Sequence, residues 1–205
     1  MFFDCHTHFP RLGAVYNLSL AELRLDPPYP VSGQYLSVGL HPWWITPEWE
    51  SDFKQVCLWA QQPQVVAIGE TGLDCQVKSP AVFSVQEEIF RAHIALSESC
   101  GKPLLIHCVK ALDELLALRK ELRPTQPWVF HGFRGKPQQA ESLLRAGFSL
   151  SFGEHFHPES VRLCPPDRIC IETDESTLPI EKIGQRIKQI HPSFEESSGK
   201  DLFLP

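Results

Sequence analysis

The sequence predicts an α/β chain folded as a compact TIM-type (β/α)8 barrel, and three observations carry that expectation. Short runs of continuous apolar residues recur along the 205 residues. Apolarity without alternation marks strands buried on both faces, as in a parallel sheet covered by helices. Most of these runs lead into a helical pattern, which is βα repetition. Seven clear strands and one weaker candidate make eight, the number that closes this barrel.

In chain order the strands are expected at Phe2–Cys5, Ala14–Leu18 (the weaker candidate), Tyr35–Leu40, Val65–Gly69, Pro103–Ile106, Trp128–Phe130, Phe148–Phe152 and Arg168–Ile171. Helices are expected near 47–61, 79–100, 109–122, 137–146 and 179–191. Pro80 and Pro137 stand at helix starts and Gly101 just past an end, the placements these residues favour. Between residues 9 and 34, Pro10, Pro27, Pro28 and Pro30 break any long pattern, so the first βα unit is expected to be shortened. No linker or repeat divides the chain, and residues 1–205 read as a single barrel domain at the low end of the usual size range, with a short C-terminus. The polar tail, Ser193 to Lys200, is expected to be loosely held.

With 42% hydrophobic and 21% charged residues the composition is that of an ordinary globular protein. A net charge of −6 argues against a protein that coats nucleic acid nonspecifically, because such binding depends on Lys and Arg. Seven cysteines without a C-x-x-C pair read as reduced thiols. No stretch resembles a secretory leader or approaches the roughly 18 apolar residues of a membrane span. A cytoplasmic protein, without membrane association and with monomer favoured over oligomer, is the expectation.

In such a barrel the active-site groups come from the C-terminal ends of the strands. His6 and His8 follow the first run, and residues i and i+2 of a strand share a face, so both could bind one metal ion. His41, Glu70, His107 and His131 follow later runs, and Glu172-Thr173-Asp174 follows the last. Imidazoles and carboxylates gathered at one rim are the donors of a mixed N/O metal centre, and a carboxylate bridging two ions would use them economically.

The motifs Phe3-Asp4-Cys5-His6-Thr7-His8, Val38-Gly39-Leu40-His41-Pro42, Ala67-Ile68-Gly69-Glu70-Thr71-Gly72-Leu73-Asp74, Leu105-Ile106-His107-Cys108, His131-Gly132-Phe133 and Ile171-Glu172-Thr173-Asp174 stand in the order of the TatD family, which the sequence resembles over nearly its whole length. The resemblance implies that His6, His8 and Asp174 bind one divalent ion and His107 and His131 a second, with Glu70 bridging. Zn, Mg, Mn, Ni and Fe are the candidate metals. His41 would shape the pocket rather than ligate.

The implied activity is two-metal phosphodiester hydrolysis of a DNA end, 3′ exonuclease-like, with hydroxide held by the ions as nucleophile and Asp174 as general base. DNA ends or small phosphoesters would be the substrates, and Lys110, Arg134, Lys136, His41 and His155 candidate substrate contacts. Val109 stands where the family carries an arginine, Cys75 where it carries tyrosine, and Glu175-Ser176 where it carries Ser-Pro. Substrate contacts therefore diverge more than ligands. Two alternatives follow: C–N or C–O bond hydrolysis of a small molecule, as in other amidohydrolase-type barrels, or a metal-binding barrel with little activity. Cys5 and Cys108, next to ligand histidines on their strands, are expected to face away as core thiols.

Overall fold

The computed structural model describes residues 2–25, 34–76 and 82–204. Its eight strands are β1 (Asp4–Thr7), β2 (Ala14–Asn17), β3 (Tyr35–Val38), β4 (Val65–Asp74), β5 (Leu104–Val109), β6 (Trp128–Phe130), β7 (Phe148–Phe152) and β8 (Ile169–Ile171). Each pairs in parallel with the next in chain order. The two ends of the sheet meet at a single parallel bridge between Thr7 and Asp174. There the Asp174 N–H donates to the His6 carbonyl at 3.0 Å and the His8 N–H to the Asp174 carbonyl at 3.1 Å. The barrel is thus nearly closed, and the seam is made of site residues.

The helices are α1 (Leu20–Leu23), α2 (Trp49–Ala60), α3 (Phe83–Cys100), α4 (Leu112–Leu122), α5 (Pro137–Arg145), α6 (Pro158–Leu163) and α7 (Ile180–Ile190). The first βα unit is short, as its prolines require: α1 has four residues, opened by a capping box between Ser19 and Glu22. The expected start of α3 at 79–80 lies outside the described residues. Helix α6 was not expected, since six residues give too little periodicity to read. Strand β4 runs five residues past its apolar run, because Glu70, Thr71 and Asp74 are buried in the site rather than exposed in a loop.

Most of the apolar core lies between strands and helices, with Ile68, Leu104, Ile106, Trp128, Phe148 and Ile169 among its members. A smaller cluster of alternate strand residues, including Cys5, Ala67, Leu105, Val129 and Cys170, fills the barrel interior. A 3.1 Å contact between the Cys5 thiol and the Ser151 hydroxyl joins β1 to β7 across that interior. The polar tail is packed, contrary to expectation: Phe194 stacks on Phe2 at 5.9 Å, the Phe3 N–H donates to the Glu196 carbonyl, and Phe203 closes the inner cluster. Isolated aromatics in a polar stretch anchor it where composition alone reads as loose.

Close approach of β4 to β5 is what lets their side chains meet. Gly72 has φ 147°, and a Cβ there would stand 2.0 Å from the His107 carbonyl oxygen. Only glycine fits at that spot.

Candidate metal centre

Glu70 is the hub of the rim. Its carboxylate is buried, and its two oxygens face different histidines. Oε2 lies 3.3 Å from His6 Nε2 and 3.4 Å from His8 Nε2. Oε1 lies 3.2 Å from His41 Nε2, 3.0 Å from His107 Nδ1 and 2.7 Å from His131 Nε2. Its position is fixed from behind, where Asn17 of β2 accepts the Glu70 N–H at 2.7 Å. The weakest of the expected strands therefore seats the central carboxylate.

Asp174 reaches the first group from across the seam, with Oδ1 3.7 Å from His6 Nε2 and 3.5 Å from His8 Nε2. It holds a left-handed backbone, φ 53°, a conformation that Asp tolerates better than most residues. Just before it, the Thr173 hydroxyl and N–H both donate to the buried Asp4 carboxylate, at 2.7 and 3.1 Å. Burial pushes the Asp4 carboxyl up to about 6 despite those bonds.

Three overlapping sets of donor atoms lie within 4.8 Å of one another: His6–His8–Glu70, His6–His131–Asp174 and His41–Glu70–His107. His41 thus stands among the ligand candidates instead of only walling the pocket, and His131 reaches toward both sides. Nearest-neighbour geometry places His6 and His131 rings 4.6 Å apart, so the donors from β1 and β6 do converge.

Carboxylates back two of the clustered histidines. The Asp74 Oδ2 is 3.1 Å from His107 Nε2 and also accepts the Trp43 indole N–H at 2.5 Å. Glu172 Oε1 lies 3.4 Å from His131 Nδ1 and accepts the Gly132 N–H at 2.6 Å. A metal-binding imidazole whose outer nitrogen meets a carboxylate has its tautomer and orientation set. Asp4, Asp74 and Glu172 lie within the motifs quoted above, and it is their contacts with Thr173, His107 and His131 that give them their roles. Their signal is strand periodicity: Asp4, His6 and His8, or Glu172 and Asp174, recur at spacing two.

Charges across the cluster are strongly coupled. Burial opposes ionisation of both Glu70 and His131, yet each is stabilised by the other: the Glu70 carboxyl is held well below the usual range, and Glu70 with Glu172 holds His131 well above its own. Burial, then the Glu172 charge, raises the Asp174 carboxyl. Burial lowers His41.

The donor set fits divalent cations. His6 is fully buried, and among the described residues neither ring nitrogen has a hydrogen-bond partner, although Nε2 lies 3.3 Å from Glu70 and 3.7 Å from Asp174. A buried donor or acceptor without a partner is costly, and a cation between imidazole and carboxylate removes that cost.

A cleft of about 380 Å³ opens over the cluster, lined by Trp43, Trp44, Val109, Arg134, Asp174 and Glu175 among others. A smaller one of about 250 Å³ adjoins it and includes Arg134, His155 and Glu175. Lys110 and Lys136 are exposed and line neither. Cys108 does line the main cleft, against the expectation of a core position, but burial pushes its thiol up to about 12, which leaves it protonated and a poor nucleophile.

A parallel eight-stranded barrel that gathers five histidines around one buried carboxylate at its C-terminal rim is a barrel organised for divalent metal. The chain belongs to the TatD family: the family model described as TatD related DNase matches residues 28–194. An uncharacterized metal-dependent hydrolase of Buchnera aphidicola is 35% identical over 70% of this chain and 56% of its own length. The protein named 3′-5′ ssDNA/RNA exonuclease TatD of Musicola paradisiaca is 29% identical over 82% of this chain and 64% of its own. The chain thus spans somewhat more than half the length of such relatives. Among solved structures, the TatD homologue YJJV of Escherichia coli superimposes with a TM-score of 0.78 over 99% of this chain and 95% of that one, at 19% identity, a likeness of fold.

Proposed function

We propose that this protein is a metal-dependent hydrolase with two divalent ions, a phosphodiesterase that removes nucleotides from the 3′ ends of single-stranded nucleic acid. The observation that carries the reading is the division of Glu70: one oxygen faces His6 and His8, the other His41, His107 and His131. A bridging carboxylate between two cation positions has this form. Relatives named 3′-5′ exonuclease and, in Homo sapiens, 3′-5′ RNA nuclease support the substrate class.

Two ions held here would supply Lewis acidity toward a phosphoryl oxygen and a water of lowered pKa. The chain's own residues do the rest. His6, His8 and Asp174 would hold one ion and His107 and His131 the other, with Glu70 common to both and His41 beside the second. Asp174, raised by burial, accepts a proton from water at its carboxylate and returns it to the leaving oxygen. Asp74 and Glu172 keep His107 and His131 aimed inward, and Arg134 offers a cation at the cleft wall. All seven cysteines are free thiols, which supports a reducing, cytoplasmic setting. No helix among the described residues is long and apolar enough to cross a membrane.

The test is release of nucleotides from 3′-labelled single-stranded DNA and RNA by protein loaded in turn with Mg, Mn and Zn. Turnover that disappears with chelator and in Asp174→Asn is expected; intact ends with every metal would overturn the reading. One observation favours a second reading, hydrolysis of C–N or C–O bonds in a less anionic molecule. Arg134 is the only Lys or Arg lining the main cleft among the described residues, and it faces a wall that includes Glu175 and Val109. Amide or lactone turnover without phosphodiester turnover would select it.

A further inference from the structure

Directly after His41, the turn Pro42–Trp44 places two tryptophans at the lip of the metal cleft, 40% and 43% exposed. Two adjacent half-open indoles beside a polar cleft form an aromatic surface on which a flat ligand can lie. Both residues are anchored at the backbone of the turn. Pro42 fixes the turn, His41 Nδ1 accepts the Trp43 N–H at 3.0 Å, and the Trp44 N–H donates to the His41 carbonyl at 3.0 Å. The Trp43 indole N–H is held by Asp74. Trp44 lies at the opening itself, its ring centroid 5.0 Å from that of His41 and 6.4 Å from that of His8.

His41 therefore ties the two features together, one nitrogen capping the tryptophan turn and the other facing Glu70. The aromatic plane is held at a fixed distance from the cluster, beside the ligands from β1 and β4.

We propose that Trp44 is a stacking platform for the nucleobase of the terminal nucleotide whose phosphate sits on the metal cluster, with Trp43 bracing it. This rests on the phosphodiesterase reading and gives it a specificity element: a substrate with a flat, aromatic group one sugar away from the phosphorus. Stacking on an indole face is tolerant of base identity, because every base presents a π-face. With Arg134 the only Lys or Arg lining the cleft among the described residues, affinity would come from the base more than from the backbone.

The experiment measures binding of the manganese-loaded protein to deoxyadenosine 5′-monophosphate and to deoxyribose 5-phosphate, for wild type, Trp44→Ala and Trp44→Phe. Trp44→Ala is expected to weaken nucleotide binding roughly tenfold, with sugar phosphate unchanged and Trp44→Phe intermediate. In parallel, wild type and Trp44→Ala are compared on single strands ending in a normal or an abasic 3′ nucleotide, where only the normal end should lose kcat/KM, through KM. Equal nucleotide affinity in wild type and Trp44→Ala, or no preference of wild type for nucleotide over sugar phosphate, overturns the proposal. A base-dependent affinity lost in Trp44→Ala, with no cleavage of any strand, would support the platform and sink the nuclease reading instead.

Discussion

On the β5–β6 side of Glu70, His107 and His131 each face a second carboxylate, Asp74 and Glu172, that holds the ring from behind. On the β1–β8 side, His6 has no hydrogen-bond partner for either ring nitrogen among the described residues, and its strand is fixed instead by the main-chain Thr7–Asp174 bridge and by the Thr173 hydroxyl and N–H donating to the Asp4 carboxylate. The difference teaches that one half of the centre is organised by side-chain electrostatics and the other by closure of the barrel. The first half keeps its geometry as long as its carboxylates stay ionised. The second depends on strand ends meeting.

The largest expected effect falls on the residue the seam delivers. Asp174→Asn keeps the shape and removes the proposed base, so kcat should fall roughly 10²- to 10⁴-fold while the fold, followed by circular dichroism, is retained. Equal turnover would remove Asp174 from the chemistry.

Asp74→Asn and Glu172→Gln test the other half. Each should cost about 10- to 100-fold in metal affinity or activity, measured by calorimetric titration with Mn or Zn and by steady-state rates. A drop confined to catalysis, with unchanged affinity, would mean these carboxylates do something other than aim the histidines.

Thr173→Val removes the hydroxyl that donates to buried Asp4. Stability should fall by about 1–3 kcal/mol in urea unfolding, because an acceptor is left without its partner. If the seam organises the β1–β8 half, metal affinity should fall with it, and unchanged affinity would separate closure from the site.

The smallest effect at neutral pH concerns His93. It is buried in α3, where its Nε2 accepts the Leu40 N–H and its Nδ1–H meets the Ile89 carbonyl, and burial lowers it to about 4. Its folded value lies below the ordinary 6.5, so the unfolded chain takes up the proton more readily. Stability is therefore full above pH 6.5 and is lost as pH falls toward 4. Because His93 holds the Leu40 N–H next to His41, acid should loosen the His41–His107 side of the centre first. The His93→Gln variant should show a flatter stability profile between pH 6.5 and 4, which pH-dependent urea midpoints would reveal.

Much of the barrel was legible because buried parallel strands are apolar throughout and the helices between them carry Pro and Gly punctuation. Even the weak candidate at 14–18 lies on a strand. Helix α6 and the packed tail escaped, one because six residues have no usable period, the other because a lone phenylalanine, Phe194, among polar residues looks unremarkable until its partner, Phe2, is known. Within the site, the histidines and carboxylates that converge on Glu70 could be read from strand ends. The backing carboxylates could not be assigned roles, since Asp74 and Glu172 face histidines far away in sequence.

Sequence by itself determined the residue types at each strand end, the order of the motifs and hence the family, because local periodicity and composition reside in neighbouring residues. Only the tertiary structure decided how those ends share Glu70, that His41 joins the cluster, and that Lys110 stays outside the cleft. Those outcomes depend on register between strands and on how closely β4 approaches β5, distances that no spacing along the chain contains.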